Sequence, residues 1–145
     1  MKSNVNDLAL LVLRLALGAV MWAHGAQKLL GLFGGHGPQE FVRLAGTLGF
    51  PASVAWLVIA VEFFGGIALA LGVLSRLAAL GFLAEMVVGI VKLQWARGFF
   101  VSADPVSGHG DGYEYALVLA VVAFVLLVTG PGSYSLYGRT KNLLA

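Results

Sequence analysis

Cysteine is absent from the sequence, and that absence excludes dithiol exchange, a cysteine-ligated iron–sulfur cluster and a thiolate zinc site within this chain. Charge is almost as scarce. Aspartate, glutamate, lysine and arginine make up 11% of 145 residues, and nine basic against seven acidic side chains leave a net charge of +2. No basic tract concentrates that charge, so nucleic-acid binding has no footprint here despite a pI near 9.2. Of the three histidines, only His24 falls inside a long apolar stretch. One such histidine cannot supply both axial ligands of a haem, although a symmetric dimer can, and neither haem nor metal is expected from this chain alone. What fills the sequence instead is apolar: 59% of residues are hydrophobic and the mean hydropathy is +0.91. That composition belongs to a membrane protein rather than a water-soluble domain.

A membrane-crossing helix needs about 20 mostly apolar residues, and four stretches qualify, residues 8–31, 53–73, 76–96 and 113–130. They predict an all-α fold: one integral membrane domain over residues 1–145, built as a four-helix transmembrane bundle. The first stretch follows Lys2 as a signal peptide does, but it continues past Arg14 to Leu32 without a small-residue cleavage site and reads as a retained span. Asn6 or Asp7 caps its start, and the Gly31, Gly34, Gly35, Gly37, Pro38 cluster ends it. Residues 39–49 place Phe41, Leu44, Ala45 and Leu48 on one helical face, with Glu40 and Arg43 elsewhere, as a short interfacial helix does. Only residues 72–75 separate the second and third spans, with Ser75 a candidate N-cap, so a tight antiparallel hairpin is the firmest packing expectation.

An even number of spans puts both termini on one side of the membrane. Basic residues nearly balance: Lys2, Arg76, Arg139 and Lys141 on the terminal side, Lys28, Arg43, Lys92 and Arg97 at or near the other. The short basic tail and the tight Arg76 turn favour cytoplasmic termini. Trp56, Trp95, Phe99, Phe100, Tyr113 and Tyr115 then make an outer aromatic belt, and Tyr134 and Tyr137 an inner one.

Charges inside spans are costly, about 2.5–3.5 kcal/mol each on insertion scales, and they face a bundle interior or a watery cavity where they find partners. Arg14, Gly18, Met21, Gly25 and Lys28 recur at helical spacing in the first span, and Gly81, Glu85, Gly89 and Lys92 in the third. Glu62 and Gly66 add a third stripe. Small residues let helices approach closely, so these stripes read as a packed seam holding ion pairs. Counting rise per residue puts Arg14 at roughly 10 Å and Glu85 at roughly 14 Å from the terminal side. The expected pairs are Arg14 with Glu85, and Glu62 with Lys92, His24 and Lys28 in the other half. Either set can simply fix helix register. The second set can equally line a ligand or proton site, because Gly65 and Gly66 leave room beside Glu62. His24 is either a packing histidine or a hydrogen-bond partner of a quinone carbonyl.

His36 and His109 sit in glycine-rich loops near Asp104 and Asp111, but their spacing matches no metal signature. Residues 31–37 imitate a phosphate loop without its strand or its lysine–hydroxyl pair. Glu114 reads as a helix N-terminal carboxylate that can also close over the Glu62 cluster.

The order Arg14, Gly18, His24-Gly25, Lys28-Leu29, Glu62 with Gly65-Gly66, Leu71-Gly72, Arg76, Gly112-Tyr113-Glu114 and Gly130-Pro131-Gly132 before Ser135-Leu136 resembles the DoxX family of small bacterial membrane proteins. The likeness runs over nearly the whole chain. Typical members carry an aspartate after the Ser-Leu pair, where this chain has Tyr137. The resemblance implies a four-helix protein of the bacterial inner membrane, linked to quinone or thiosulfate oxidation and to soluble redox partners. The leading expectation is a quinone-binding subunit of a membrane redox complex, with Glu62, His24, Lys28, Lys92 and Glu114 around the ligand. A small-solute carrier using the charged seam, or a scaffold docking a soluble redox enzyme, are the alternatives, and the glycine seams also suit self-association.

Overall fold

A computed structural model of the chain describes residues 2–101 and 112–136. Every regular element among them is helical: α1 (Lys2–Leu30), α2 (Pro38–Thr47), α3 (Ala52–Leu71), α4 (Ser75–Gly89) and α5 (Glu114–Thr129). A π turn, Ile90–Gln94, and a short 3₁₀ turn, Trp95–Arg97, carry α4 onward. Three helical stretches are long and apolar enough to cross a membrane, Asn4–Leu30, Ala52–Leu71 and Ser75–Arg97, while α5 is apolar but shorter, at 16 residues. These bounds lie close to the expected spans, except at the start. The first helix runs back to Lys2, so neither Asn6 nor Asp7 caps it. Asp7 Oδ1 instead accepts a hydrogen bond from the Ser133 amide after α5.

Glycine decides which helices touch. A Cβ on Gly18 would lie 2.8 Å from the Gly66 carbonyl oxygen, and one on Gly66 would lie 2.6 Å from the Trp22 nitrogen. Gly25 presses as tightly on the backbone of Phe63. Backbone therefore meets backbone along α1 and α3, the most extensive contact in the molecule, followed by α4 on α5. The α3–α4 hairpin, the firmest packing expectation, does form, but its contact is looser than these two. Its facing residues are bulky: a Cβ on Gly65 would meet the Phe82 ring at 3.2 Å, and Val61 lies across from Gly81. Two tight helix pairs thus share one core, in which Leu17, Met21, Leu69, Phe82, Leu119 and Leu126 are buried. Phe64, Leu77, Leu80, Val121 and Phe124 point outward, exposed where lipid would lie.

The hairpin turn needs Gly72 twice over. Its φ is +77°, and a side chain there would strike Ser135 and the Arg14 guanidinium. Leu74 holds a left-handed φ of 50° at the next cap. Ser75 does not cap; it is the first residue of α4, and its hydroxyl is buried without a partner.

Candidate functional site

Towards the ends away from the termini, a cleft of about 1370 Å³ opens between α3 on one side and α4 and α5 on the other. Aliphatic side chains such as Val54, Val58, Met86 and Val118 form its walls. Phe41, Leu44 and Ala45 on the apolar face of α2, with Leu48 just past its end, border it. On the opposite face of α2, Arg43 donates to Glu40 and holds its carboxyl below the usual carboxylate range. The side chains on the cleft wall that can hydrogen-bond are Lys28, Glu85, Gln94, Arg97, Glu114 and Tyr115.

Lys28 ends α1 and points across to α3. Its Nζ donates to both Glu62 oxygens, at 2.7 and 2.6 Å, and lies 5.1 Å from the centre of the Phe41 ring. Glu62 is 3% exposed and stands behind Lys28, not on the cleft wall. From α4, the Glu85 carboxyl faces that of Glu62 within the field of Lys28, and its Oε2 is buried with no hydrogen-bond partner. Two carboxyls therefore share one ammonium. Burial makes such a cluster unforgiving, since an unpaired charge in a dry site costs several kcal/mol.

The expected Arg14–Glu85 pair is not formed. Arg14 is 1% exposed and donates to the carbonyls of Pro131, at 2.5 Å, and Tyr134, at 2.7 Å, in the turn after α5. Arg14 lies against the Gly72 turn, whereas Glu85 faces Glu62 at the level of Gly25, roughly 16 Å further along α1, so the two differ in depth and the guanidinium fork satisfies itself on backbone. Lys92 is likewise not beside Glu62. It is exposed and off the cleft wall, because the π turn takes more residues per revolution than an α-helix and swings it off the Glu85 stripe. The same turn brings Gln94 in, a residue that spacing missed. Its Oε1 is buried without a partner. A lone amide near the end of an apolar run was the signal available.

His24 is half-buried and does not line the cleft. Glu114 begins α5, lines the cleft and accepts a hydrogen bond from the Val101 amide at 2.7 Å. Nearby, Trp95 stacks on Tyr113 and Phe99 packs edge-on to the same ring. Gly112 lets this corner close, since a Cβ there would strike the Phe100 carbonyl. Among the described residues no three His, Cys, Asp or Glu side chains converge as metal ligands. Asp104, His109, Asp111 and Tyr137 lie outside the described residues.

The model of the DoxX family matches residues 9–95, which carry Lys28, Glu62, Glu85 and Gln94. The chain belongs to the DoxX family. As a DoxX protein with three long apolar helices, it is a multi-pass membrane protein. A relative named Putative oxidoreductase CatD, from Bacillus subtilis (strain 168), is 22% identical over 120 residues, which cover 83% of this DoxX chain and 79% of that protein. No solved structure matches.

Proposed function

We propose that this DoxX protein binds a quinone in the cleft and serves a membrane redox system as its quinone-site subunit. The single observation that carries the reading is a buried Lys28–Glu62–Glu85 cluster whose Lys28 and Glu85 border a long apolar cleft. An isoprenoid-tailed ring needs that combination: apolar walls for the tail and a few polar groups at the head. An aqueous solute path needs the opposite, a wet seam, and the cleft walls are predominantly aliphatic. Family membership and the name of the B. subtilis relative support the link to redox chemistry.

In this reading α5, about 24 Å long at its helical rise, is the fourth span of a bundle in the bacterial inner membrane, with both termini cytoplasmic. A bound quinone supplies two-electron chemistry. A soluble redox enzyme supplies the electrons. The protein's own residues hold the head: Glu62 fixes Lys28 and screens its charge, Lys28 and Glu85 meet the ring oxygens, and α2 closes water out. Glu62 thus acts through Lys28.

Mass spectrometry of an organic extract of the detergent-purified protein tests this. Near-stoichiometric quinone, lost in Lys28→Met and Glu62→Gln, is expected. Quinone at the trace level of co-purifying lipid would refute the assignment.

A further inference from the structure

Glu62 and Glu85 face each other but are not held alike. Glu62 takes the Lys28 ammonium on both oxygens, at 2.7 and 2.6 Å. Among the described residues the ion pairs are Lys28 with Glu62 and Arg43 with Glu40, so Glu85 belongs to neither. Its Oε2 is sealed and accepts no hydrogen bond. An ionised carboxylate spreads its charge over both oxygens, and away from water that charge needs donors or a cation close by. A protonated carboxyl needs much less. It keeps one neutral carbonyl oxygen and gains an O–H to donate.

The groups packed around Glu85 supply no second cation. From α1 comes Lys28, already engaged, and from α3 comes Glu62, which adds negative charge of its own. From α5, Glu114 is a further acid, occupied by the Val101 amide, and Tyr115 adds no positive charge. Farther along the same helical run Gln94 is uncharged, Lys92 is exposed and off the cleft wall, and Arg97 has a partner of its own. His24 stands off the wall as well. With both acids ionised, the cluster would bury one negative charge in excess, whereas one shared proton makes it neutral. Two facing carboxyls also hydrogen-bond only through such a proton.

We infer that Glu62 and Glu85 form a proton-binding site inside the membrane, holding a single exchangeable proton between their carboxyls at neutral pH, with Lys28 as the counter-charge. The proton belongs to the pair rather than to either acid. It is stored at the edge of the ligand space, since Glu85 borders the cleft and Glu62 stands behind it. This site requires no particular ligand and stands apart from the quinone reading.

Infrared spectroscopy of the detergent-purified protein at pH 7 tests it, because a protonated carboxyl gives a C=O stretch above the amide bands that an ionised one lacks. Wild type is expected to show one such acid per chain, and its band should shift in heavy water. Glu85→Gln should abolish the band. Glu62→Gln should abolish it too, because Glu85 is then free to pair with Lys28 as a carboxylate. Glu40→Gln, on the exposed face of α2, should leave it unchanged. A wild-type spectrum without the band, or with a band that heavy water leaves in place, would overturn the inference whether or not the variants fold. So would a band that survives Glu62→Gln in a protein with native circular dichroism, since that acid would be protonated by burial alone.

Discussion

Removing either member of the Lys28–Glu62 pair should have unequal consequences, and the inequality follows from where each side chain stands. The Glu62 side chain is 4% exposed and that of Lys28 is 20% exposed, at 2.6 Å from each other. Lys28→Met leaves a carboxylate almost wholly enclosed, facing the second carboxyl of Glu85. Breaking a buried pair from one side costs about 3–5 kcal/mol, most of it the charge left behind. Glu62→Met leaves an ammonium that already borders the cleft and keeps Glu85 and the Phe41 ring nearby, so about 1–3 kcal/mol is expected. The double variant replaces the pair by apolar side chains of similar length and should lie closer to wild type than Lys28→Met does, a coupling of about 2 kcal/mol or more. Equilibrium unfolding in mixed micelles, with SDS mole fraction as denaturant, reads all four proteins on one scale. Equal single-variant penalties that simply add in the double variant would refute the reasoning, because they would mean that the two charges do not depend on each other.

Arg14→Lys keeps the charge but loses the fork that spans the Pro131 and Tyr134 carbonyls; a loss of about 2–3 kcal/mol and faster amide exchange at residues 131–136 are expected. Gly66→Ala should destabilise by more than about 1–3 kcal/mol, because its methyl meets the Trp22 backbone. Gly89→Ala, which meets nothing within 4 Å, should be neutral or stabilise by up to about 1 kcal/mol; melting temperatures in detergent compare the two directly. Glu40, held low by Arg43 on the exposed face of α2, adds its contribution above the ordinary glutamate range and loses it as pH falls through its lowered value. Arg43→Gln should therefore leave the melting temperature unchanged once the pH lies below that lowered value, and shift it barely at pH 7.

Composition alone carried the membrane assignment, since only spans of hydrocarbon length explain such long apolar runs. Punctuation carried the helix bounds: glycine after α1, Gly72 between α3 and α4, Gly130 after α5. Pairing was harder. Glycine at helical spacing marks a close approach but not the partner, and the partner was set by what faced it. On α1 and α3 glycine met glycine. On α3 and α4 it met Phe82 and Val61, and the nearest neighbours in sequence became the looser pair in space. Arg14 was legible as a buried group needing partners, but not its choice, because backbone carbonyls of a turn 117 residues away leave no trace in composition.

The π turn is where spacing and site part company. Regular helical counting from Glu85 selects Lys92 and discards Gln94, so it assembles a cationic cluster around Glu62. One wider turn exchanges them. Lys92 goes outward to an exposed position, Gln94 comes into the cleft, and the charge balance of the site changes from an excess of cations to two carboxyls around a single ammonium. Nothing in Ile90–Gln94 announces the irregularity: the segment has no proline and no glycine. The turn also costs regular hydrogen bonding where backbone has few other partners, a cost that a merely structural helix end has no reason to bear. Its place at the cleft wall, beside a buried amide oxygen without a partner, is what ties that end of α4 to the proposed site as well as to the scaffold.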